Sequence, residues 1–224
     1  KKFIFPKKCP CGFDTIKEFN KVTKKYDAVR RCPDRGFDCE KIAIEKIKHF
    51  ISKDAMNIDG LGKKVIEKFW DLNLIKFPQD IYNLNYQKIS SLDGWGSQSA
   101  LNLKYSIENS KEVMLDKFIF SLGIRHIGME NAKIIADFTK TIKHFFNLAK
   151  KNKIEDLINI DGIGETQIKS LEKFFQNKTN IKFLEKLSEI LKIKEREVNK
   201  KGKLMNKSFM FTGKLQNISR AEAK

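Results

Sequence analysis

Apolar residues recur at intervals of three and four positions through much of the chain, and this spacing is typical of one buried face of an α-helix. After Gly62 the apolar stripe consists of Val65, Ile66, Phe69 and Trp70. A similar stripe follows Gly128 and consists of Ala132, Ile135, Ala136 and Phe138. The pattern predicts a mainly α fold, with an all-helical domain over residues 49–191.

A short template interrupts these stripes four times. It reads apolar residue, any residue, Gly, apolar residue, Gly, and it begins at Ile58, Leu92, Ile124 and Ile160. The third copy has His126 in place of the first glycine. The third template positions are 60, 94, 126 and 162, so the intervals are 34, 32 and 36 residues. This regularity predicts one supersecondary unit, consisting of a helix, a tight hairpin and a second helix, repeated four times.

Each hairpin has the features of a phosphate-binding turn. The first glycine permits the positive φ that reverses the chain within a few residues. The second glycine has no side chain, so its backbone can approach a ligand closely. The next helix begins with unpaired N–H groups and the positive end of its dipole, which favour a phosphate oxygen. The alternative is that each glycine pair merely joins two helices. Tetratricopeptide-like arrays share the period but lack paired glycines at each turn.

We expect the hairpins to contribute unequally to binding. Hairpin 1 is followed by two lysines, whereas Glu165 after hairpin 4 would repel phosphate, so hairpins 1 and 2 should contribute most. The turn of hairpin 3 should differ because a glycine is missing, and His126 is either a phosphate donor or a packed core residue. The candidate DNA-binding residues are Gly60, Gly62, Lys63, Lys64, Gly94, Gly96, Ser97, Arg125, His126, Gly128, Gly162, Gly164 and Thr166.

The charge balance favours a polyanionic partner. The 45 Lys and Arg residues exceed the 28 Asp and Glu residues and give a net charge of +17. An excess of this size attracts nucleic acid first and an anionic membrane surface second. No apolar run reaches the roughly 18 residues of a spanning helix, so we expect no membrane segment. Contacts to backbone phosphates carry no sequence information and weaken with salt, so binding should be sequence-tolerant and salt-sensitive.

The chain has four cysteines, all near its beginning, and they predict a structural zinc site. Cys9, Cys11, Cys32 and Cys39 lie in a polar segment with little core material, where a metal ion can supply the missing stability. Only Pro10 separates the first two thiols, which is tighter than the usual zinc knuckle. The alternatives are a site with three thiolates, two disulfides or free buried thiols, and disulfides require an oxidising compartment.

Taken together, the order of these features resembles the C-terminal half of bacterial NAD-dependent DNA ligase. The segments that carry the resemblance are 9–12, 31–39, 56–62 and 122–128. The chain departs from the family pattern in the tight first cysteine pair and in the six residues between Cys32 and Cys39, where the family has five. The resemblance implies the tail of an oligonucleotide-binding domain at 1–8, a zinc module at 9–48 and a helix-hairpin-helix domain at 49–191. It also implies a linker at 192–206 and the truncated start of an α/β BRCT-like domain at 207–224.

The resemblance further implies a function for the complete protein. The complete enzyme would adenylate itself from NAD, use Mg²⁺, transfer AMP to the 5′-phosphate at a nick and seal the nick with the 3′-hydroxyl. This chain would contain no catalytic residue and would hold the backbone and minor groove of nicked double-stranded DNA. We expect a monomer in the bacterial cytoplasm, associated with the nucleoid. The competing hypotheses are a non-catalytic DNA-binding module and part of a repair nuclease.

Overall fold

The computed structural model describes residue 4 and residues 6–20, 24–33, 36–150 and 153–195. These residues are mostly helical, which confirms the mainly α fold that the apolar spacing predicts. The predicted BRCT-like segment at 207–224 lies outside the described residues, as does most of the predicted linker. Among the described residues, no helix is both long and apolar enough to cross a bilayer.

The cysteine-containing module is built from turns and one small antiparallel ribbon. The ribbon consists of β1 (Phe19–Asn20) and β2 (Lys25–Tyr26), with Phe19 opposite Tyr26. Isolated bridges join Lys8 to Asp14 and Ile16 to Arg31. The hydroxyl of the buried Thr15 donates to the backbone carbonyls of residues 6 and 7, and it accepts a hydrogen bond from Arg30 Nε at 2.7 Å. Residues 6–8 therefore bond directly to the module that follows them.

The helical part contains α1 to α9 and a pair of short strands. The α-helices are α1 (Glu40–Ile51), α2 (Lys63–Asp71), α3 (Tyr86–Ser90), α4 (Ser97–Asn109), α5 (Leu115–Ser121), α6 (Met129–Thr139), α7 (Ile142–Asn147), α8 (Glu165–Gln176) and α9 (Lys178–Ile190). The 3₁₀ segments are Gly36–Asp38, Pro78–Asn83 and Glu155–Asn159. The strands are β3 (Glu112–Met114) and β4 (Lys192–Lys194).

Four hairpins connect helices at the predicted positions. Hairpins 1 to 4 are residues 58–62, 92–96, 124–128 and 160–164, and they are followed by α2, α4, α6 and α8. The segments before the hairpins are less regular than the repeat predicts. The helix before hairpin 2 is only Tyr86–Ser90, and the segment before hairpin 4 is the 3₁₀ turn Glu155–Asn159. The repeat therefore keeps the hairpin and the second helix and varies the first.

One apolar core runs through all four units and continues under the cysteine module. Phe50, Phe69, Phe118 and Phe145 are completely or almost completely buried in it, one from each of α1, α2, α5 and α7. Phe37, two residues before the last cysteine, packs against Phe77 in a tilted arrangement and against Phe183 edge-to-face, with ring centroids 5.1 and 5.2 Å apart. The cysteine module is thus fixed to the helical domain by aromatic packing.

The strand pair closes the helical domain on itself. β3, between units two and three, pairs in parallel with β4, which follows α9, in the register Glu112 to Lys192. The Glu112 carboxylate binds the ammonium groups of Lys192, at 3.1 Å, and Lys194. The prediction of a linker from residue 192 is wrong at its start, because Lys192–Lys194 form this strand. The partner strand lies 80 positions earlier, so local composition could not reveal it.

Candidate nucleic-acid interface and cysteine cluster

All four hairpins have a positive φ at the residue where the chain reverses. The third position has a positive φ in each, +90° at Gly60, +80° at Gly94, +61° at His126 and +89° at Gly162. The prediction that the turn of hairpin 3 differs is therefore wrong. Histidine is among the non-glycine residues that enter this left-handed region more readily than most, so it can replace glycine there. His126 is exposed, which also rules out the packed-core alternative.

The second glycine of each hairpin is the N-cap of the following helix. Gly62, Gly96, Gly128 and Gly164 have extended backbone geometry, so glycine is not required here by its φ. A Cβ atom added at any of the first three would meet nothing within 4 Å. What these positions offer is open space above the first amides of a helix, where a ligand can approach the backbone closely.

The four N-caps fall into two classes. The Gly96 N–H donates to Ser99 Oγ at 2.9 Å, and the Gly164 N–H donates to Gln167 Oε1 at 3.1 Å. In both cases a side chain three residues into the helix satisfies the N-cap amide. For Gly62 and Gly128, the described part of the chain supplies no acceptor. Hairpins 1 and 3 therefore have open N-cap amides, and hairpins 2 and 4 have amides that the protein itself caps.

Hairpins 1 and 2 form one packed pair. The Asp59 N–H donates to Ser106 Oγ of α4 at 2.7 Å, and Lys68 Nζ of α2 donates to the Asp93 carbonyl at 2.7 Å. Each hairpin thus contacts the helix that follows the other. A cleft of about 460 Å³ lies between them, lined in part by Gly60, Gly94 and Trp95.

Hairpins 3 and 4 form the second pair. Asn131 Nδ2, in the first turn of α6, donates to the Gly162 carbonyl at 2.8 Å. Gly162 also packs so closely on α6 that an added Cβ would lie 2.7 Å from Ile134 Cδ1. At this position both the positive φ and the Ile134 side chain of the neighbouring helix favour glycine. The four units are consequently arranged as two pairs, one before β3 and one after it.

The predicted polar residues of the hairpins are all on the surface. Lys63, Lys64, Ser97 and Thr166 are exposed beside their hairpins. Glu165 binds Lys169 at 3.0 Å, which partly neutralises the carboxylate expected to repel phosphate. Sequence reasoning missed the capping residues Ser99 and Gln167, although their position three residues after a glycine N-cap is a recognisable signal.

Arg125 of hairpin 3 is already bound within the protein. Its Nη1 and Nη2 donate to Oε1 and Oε2 of Glu18, which immediately precedes the ribbon. The hydrogen bond from Arg125 lowers the pKa of Glu18, and the positive charges of Arg31 and Lys173 lower it further. The two residues are 107 positions apart. No sequence pattern indicates such a pair, and it was not predicted.

The four cysteines converge on one point. Cys9 Sγ lies 3.9 Å from Cys39 Sγ, Cys11 Sγ lies 3.6 Å from Cys32 Sγ, and all four sulfurs are within 4.8 Å of one another. Sulfurs at about 2.3 Å from a central zinc ion would lie about 3.8 Å apart at the corners of a tetrahedron. All four are free thiols. The set fits a tetrahedral metal ion with four thiolates, so the tight first pair does not prevent convergence.

Local backbone structure explains how so tight a pair can converge. The Gly12 N–H donates to the Cys9 carbonyl at 2.8 Å, and Gly12 has φ +89°, so the chain turns sharply between the two thiols. Cys39 is buried at the N-cap of α1. A hydrogen bond from the Cys9 thiol lowers the pKa of Cys11 to about 7, whereas burial raises the pKa of Cys32 and of Cys39.

Comparisons with known proteins agree with this architecture. The helix-hairpin-helix motif family matches residues 117–184, which include hairpins 3 and 4. The chain is 61% identical over its whole length to a DNA ligase of Pelagibacter ubique and covers 33% of that protein. It is 39% identical over its whole length to the DNA ligase of Parvibaculum lavamentivorans, and 42% identical over 99% of its length to that of Wolbachia pipientis. It covers 34% of each of these two relatives. The chain is therefore similar to one third of these DNA ligases, and it spans about a third of the length of these relatives.

Proposed function

We propose that this chain is the part of an NAD-dependent DNA ligase that binds the backbone of nicked duplex DNA. The single observation that carries the proposal is the recurrence, at four exposed helix starts, of a positive-φ residue followed by a glycine N-cap. Each start presents amides and a positive dipole end, to which a phosphate oxygen can bind. Because the hairpins are arranged as two pairs, we propose that the pairs contact successive stretches of backbone across a minor groove.

The chain contributes binding rather than bond formation to this activity. In the same proposal, the rest of the protein adenylates itself from NAD, uses Mg²⁺ and seals the nick. The ligase relatives favour this function over a non-catalytic module or a repair nuclease. We place the protein in the bacterial cytoplasm, at the nucleoid, as a monomer.

Charge reversal beside hairpin 1 tests the proposal. Replacing Lys63 and Lys64 by Glu should weaken binding to a nicked duplex by about tenfold or more, since phosphate contacts dominate affinity. Fluorescence anisotropy on two duplexes of unrelated sequence should give equal losses. Lys182→Glu with Lys186→Glu in α9 is the matched control, because it changes the same charge on a helix that follows no hairpin. Absence of duplex binding by the unaltered chain in dilute buffer would falsify the proposal.

We also propose that the four cysteines hold a structural zinc ion. In that state all four thiols are ionised, and the ion fixes the turns of a module with little core of its own. Metal analysis of the purified, reduced chain should give about one equivalent of zinc, and Cys32→Ser should reduce it strongly. A metal content far below one equivalent under metal-replete, reducing conditions would contradict this assignment.

A further inference from the structure

The contact between Glu18 and Arg125 joins the cysteine module to a hairpin that we propose binds DNA. Glu18 immediately precedes β1, and Arg125 is the second residue of hairpin 3. Both oxygens of the carboxylate accept from the two terminal nitrogens of the guanidinium. This two-point geometry is the one in which arginine also binds a phosphate group. The carboxylate thus occupies the donors that a DNA phosphate would use.

We propose that Glu18 acts as a phosphate mimic, which occupies Arg125 in the absence of DNA and is displaced by a backbone phosphate when hairpin 3 binds. The inference rests on the proposed DNA-binding function. It makes the cysteine module an autoinhibitory element for one hairpin, in addition to its structural role. The competition is local, because the ion pair involves one residue of the hairpin and leaves the Gly128 amide open.

The exposure of the pair allows this exchange. The side chains of Arg125 and Glu18 are 40% and 37% exposed, so solvent and an incoming ligand can reach both. Exposed ion pairs contribute little to stability, and a polyanion can therefore displace one partner at low cost. A buried pair would instead behave as a permanent structural bond.

The surroundings of Glu18 favour its remaining charged after displacement. Arg31 and Lys173 both act on its carboxylate electrostatically, and Asp27, opposite Glu18 on the ribbon, binds Arg31 at 3.2 Å. A released Glu18 therefore has other cations within its environment. The ribbon need not unfold when hairpin 3 exchanges its partner.

The test is a double-mutant cycle on the 224-residue chain. Glu18→Gln should raise affinity for a nicked duplex about two- to fivefold, because the phosphate no longer has to displace the Glu18 carboxylate from Arg125. Arg125→Gln alone should change affinity little, but in the Glu18→Gln background it should abolish the gain. Glu108→Gln is the matched control, since it removes the same charge from an exposed pair with Lys111 at 2.8 Å.

The outcomes separate this inference from the one on which it depends. Failure of the unaltered chain to bind duplex DNA contradicts the proposed function itself. Normal binding that Glu18→Gln leaves unchanged, with zinc content retained, means that the pair only docks the module and overturns the inference. Weaker binding of Glu18→Gln means that Glu18 orients Arg125 toward phosphate, and this result also overturns it.

Discussion

Hairpins 1 and 3 differ from hairpins 2 and 4 in a single hydrogen bond. All four have a positive φ at the third position and a glycine N-cap, but Ser99 and Gln167 accept from the N-cap amide in the second member of each pair. In the first members, Gly62 and Gly128, no described residue accepts from that amide. The comparison shows that repeating a turn within one chain does not guarantee equal anion-binding capacity, because a side chain can satisfy the donor that a ligand would need.

The open N-cap amides and the neighbouring side chains give different rankings of the hairpins by their expected contribution to DNA binding. The side chains after the turn, Lys63 and Lys64 at hairpin 1 and Ser97 and Gln98 at hairpin 2, place these two hairpins first, whereas the open amides favour hairpins 1 and 3. The two rankings agree on hairpins 1 and 4 and differ on hairpins 2 and 3. The following two experiments distinguish them.

Alanine at the N-cap glycines should give the larger effect. Gly62→Ala with Gly128→Ala should weaken binding to nicked duplex about tenfold, since each methyl group blocks approach to an open amide, a loss of about 1.4 kcal/mol. Gly96→Ala with Gly164→Ala should cost less than about threefold, a loss below about 0.7 kcal/mol. The two double variants carry the same chemical change and leave charge unaltered. Equal losses in anisotropy titrations would remove the distinction between the two classes.

Opening a capped amide should give the smaller effect, with the opposite sign. Ser99→Ala leaves the Gly96 N–H without its acceptor, so binding should strengthen by up to about twofold while the start of α4 loses about 0.5–1 kcal/mol of stability. Thermal unfolding and anisotropy measure the two effects separately. Ser188→Ala is the matched control, because Ser188 also donates to the carbonyl three residues earlier, at 2.7 Å, but caps no hairpin. A loss of affinity specific to Ser99→Ala would show that the hydroxyl itself contributes to binding.

The repeat could be predicted from the sequence because its information is local. Glycine spacing predicts where the chain reverses, and the four reversals lie at the predicted positions. The apolar period predicts the buried faces of α2 and α6, and it is correct there except at Phe138, which is 43% exposed. The turn of hairpin 3 was misjudged because glycine was treated as obligatory at a position that His126 can occupy. The cysteine cluster was also predictable from ligand chemistry, despite its tight first pair.

Features that depend on residues far apart in sequence could not be predicted. Glu18 and Arg125 meet only because the cysteine module folds back onto unit three, and nothing in either local sequence specifies the other. The pairing of β3 with β4 is of the same kind. The capping role of Ser99 and Gln167 lies between these cases. Their spacing from the glycine can be seen in the sequence, but the hydrogen bond to the N-cap amide depends on the folded backbone.

The parallel strand pair changes how an array of repeats should behave. In an open solenoid, each unit contacts only its neighbours, and the terminal units can fray independently of the centre. Here the pairing of β3 with β4 joins the segment after unit four to the junction between units two and three. Unit four therefore cannot separate from that junction without breaking the strand pair. The four units should therefore unfold together in one cooperative transition. Because the tie joins residues so distant in sequence, its formation is expected to slow the final stage of folding.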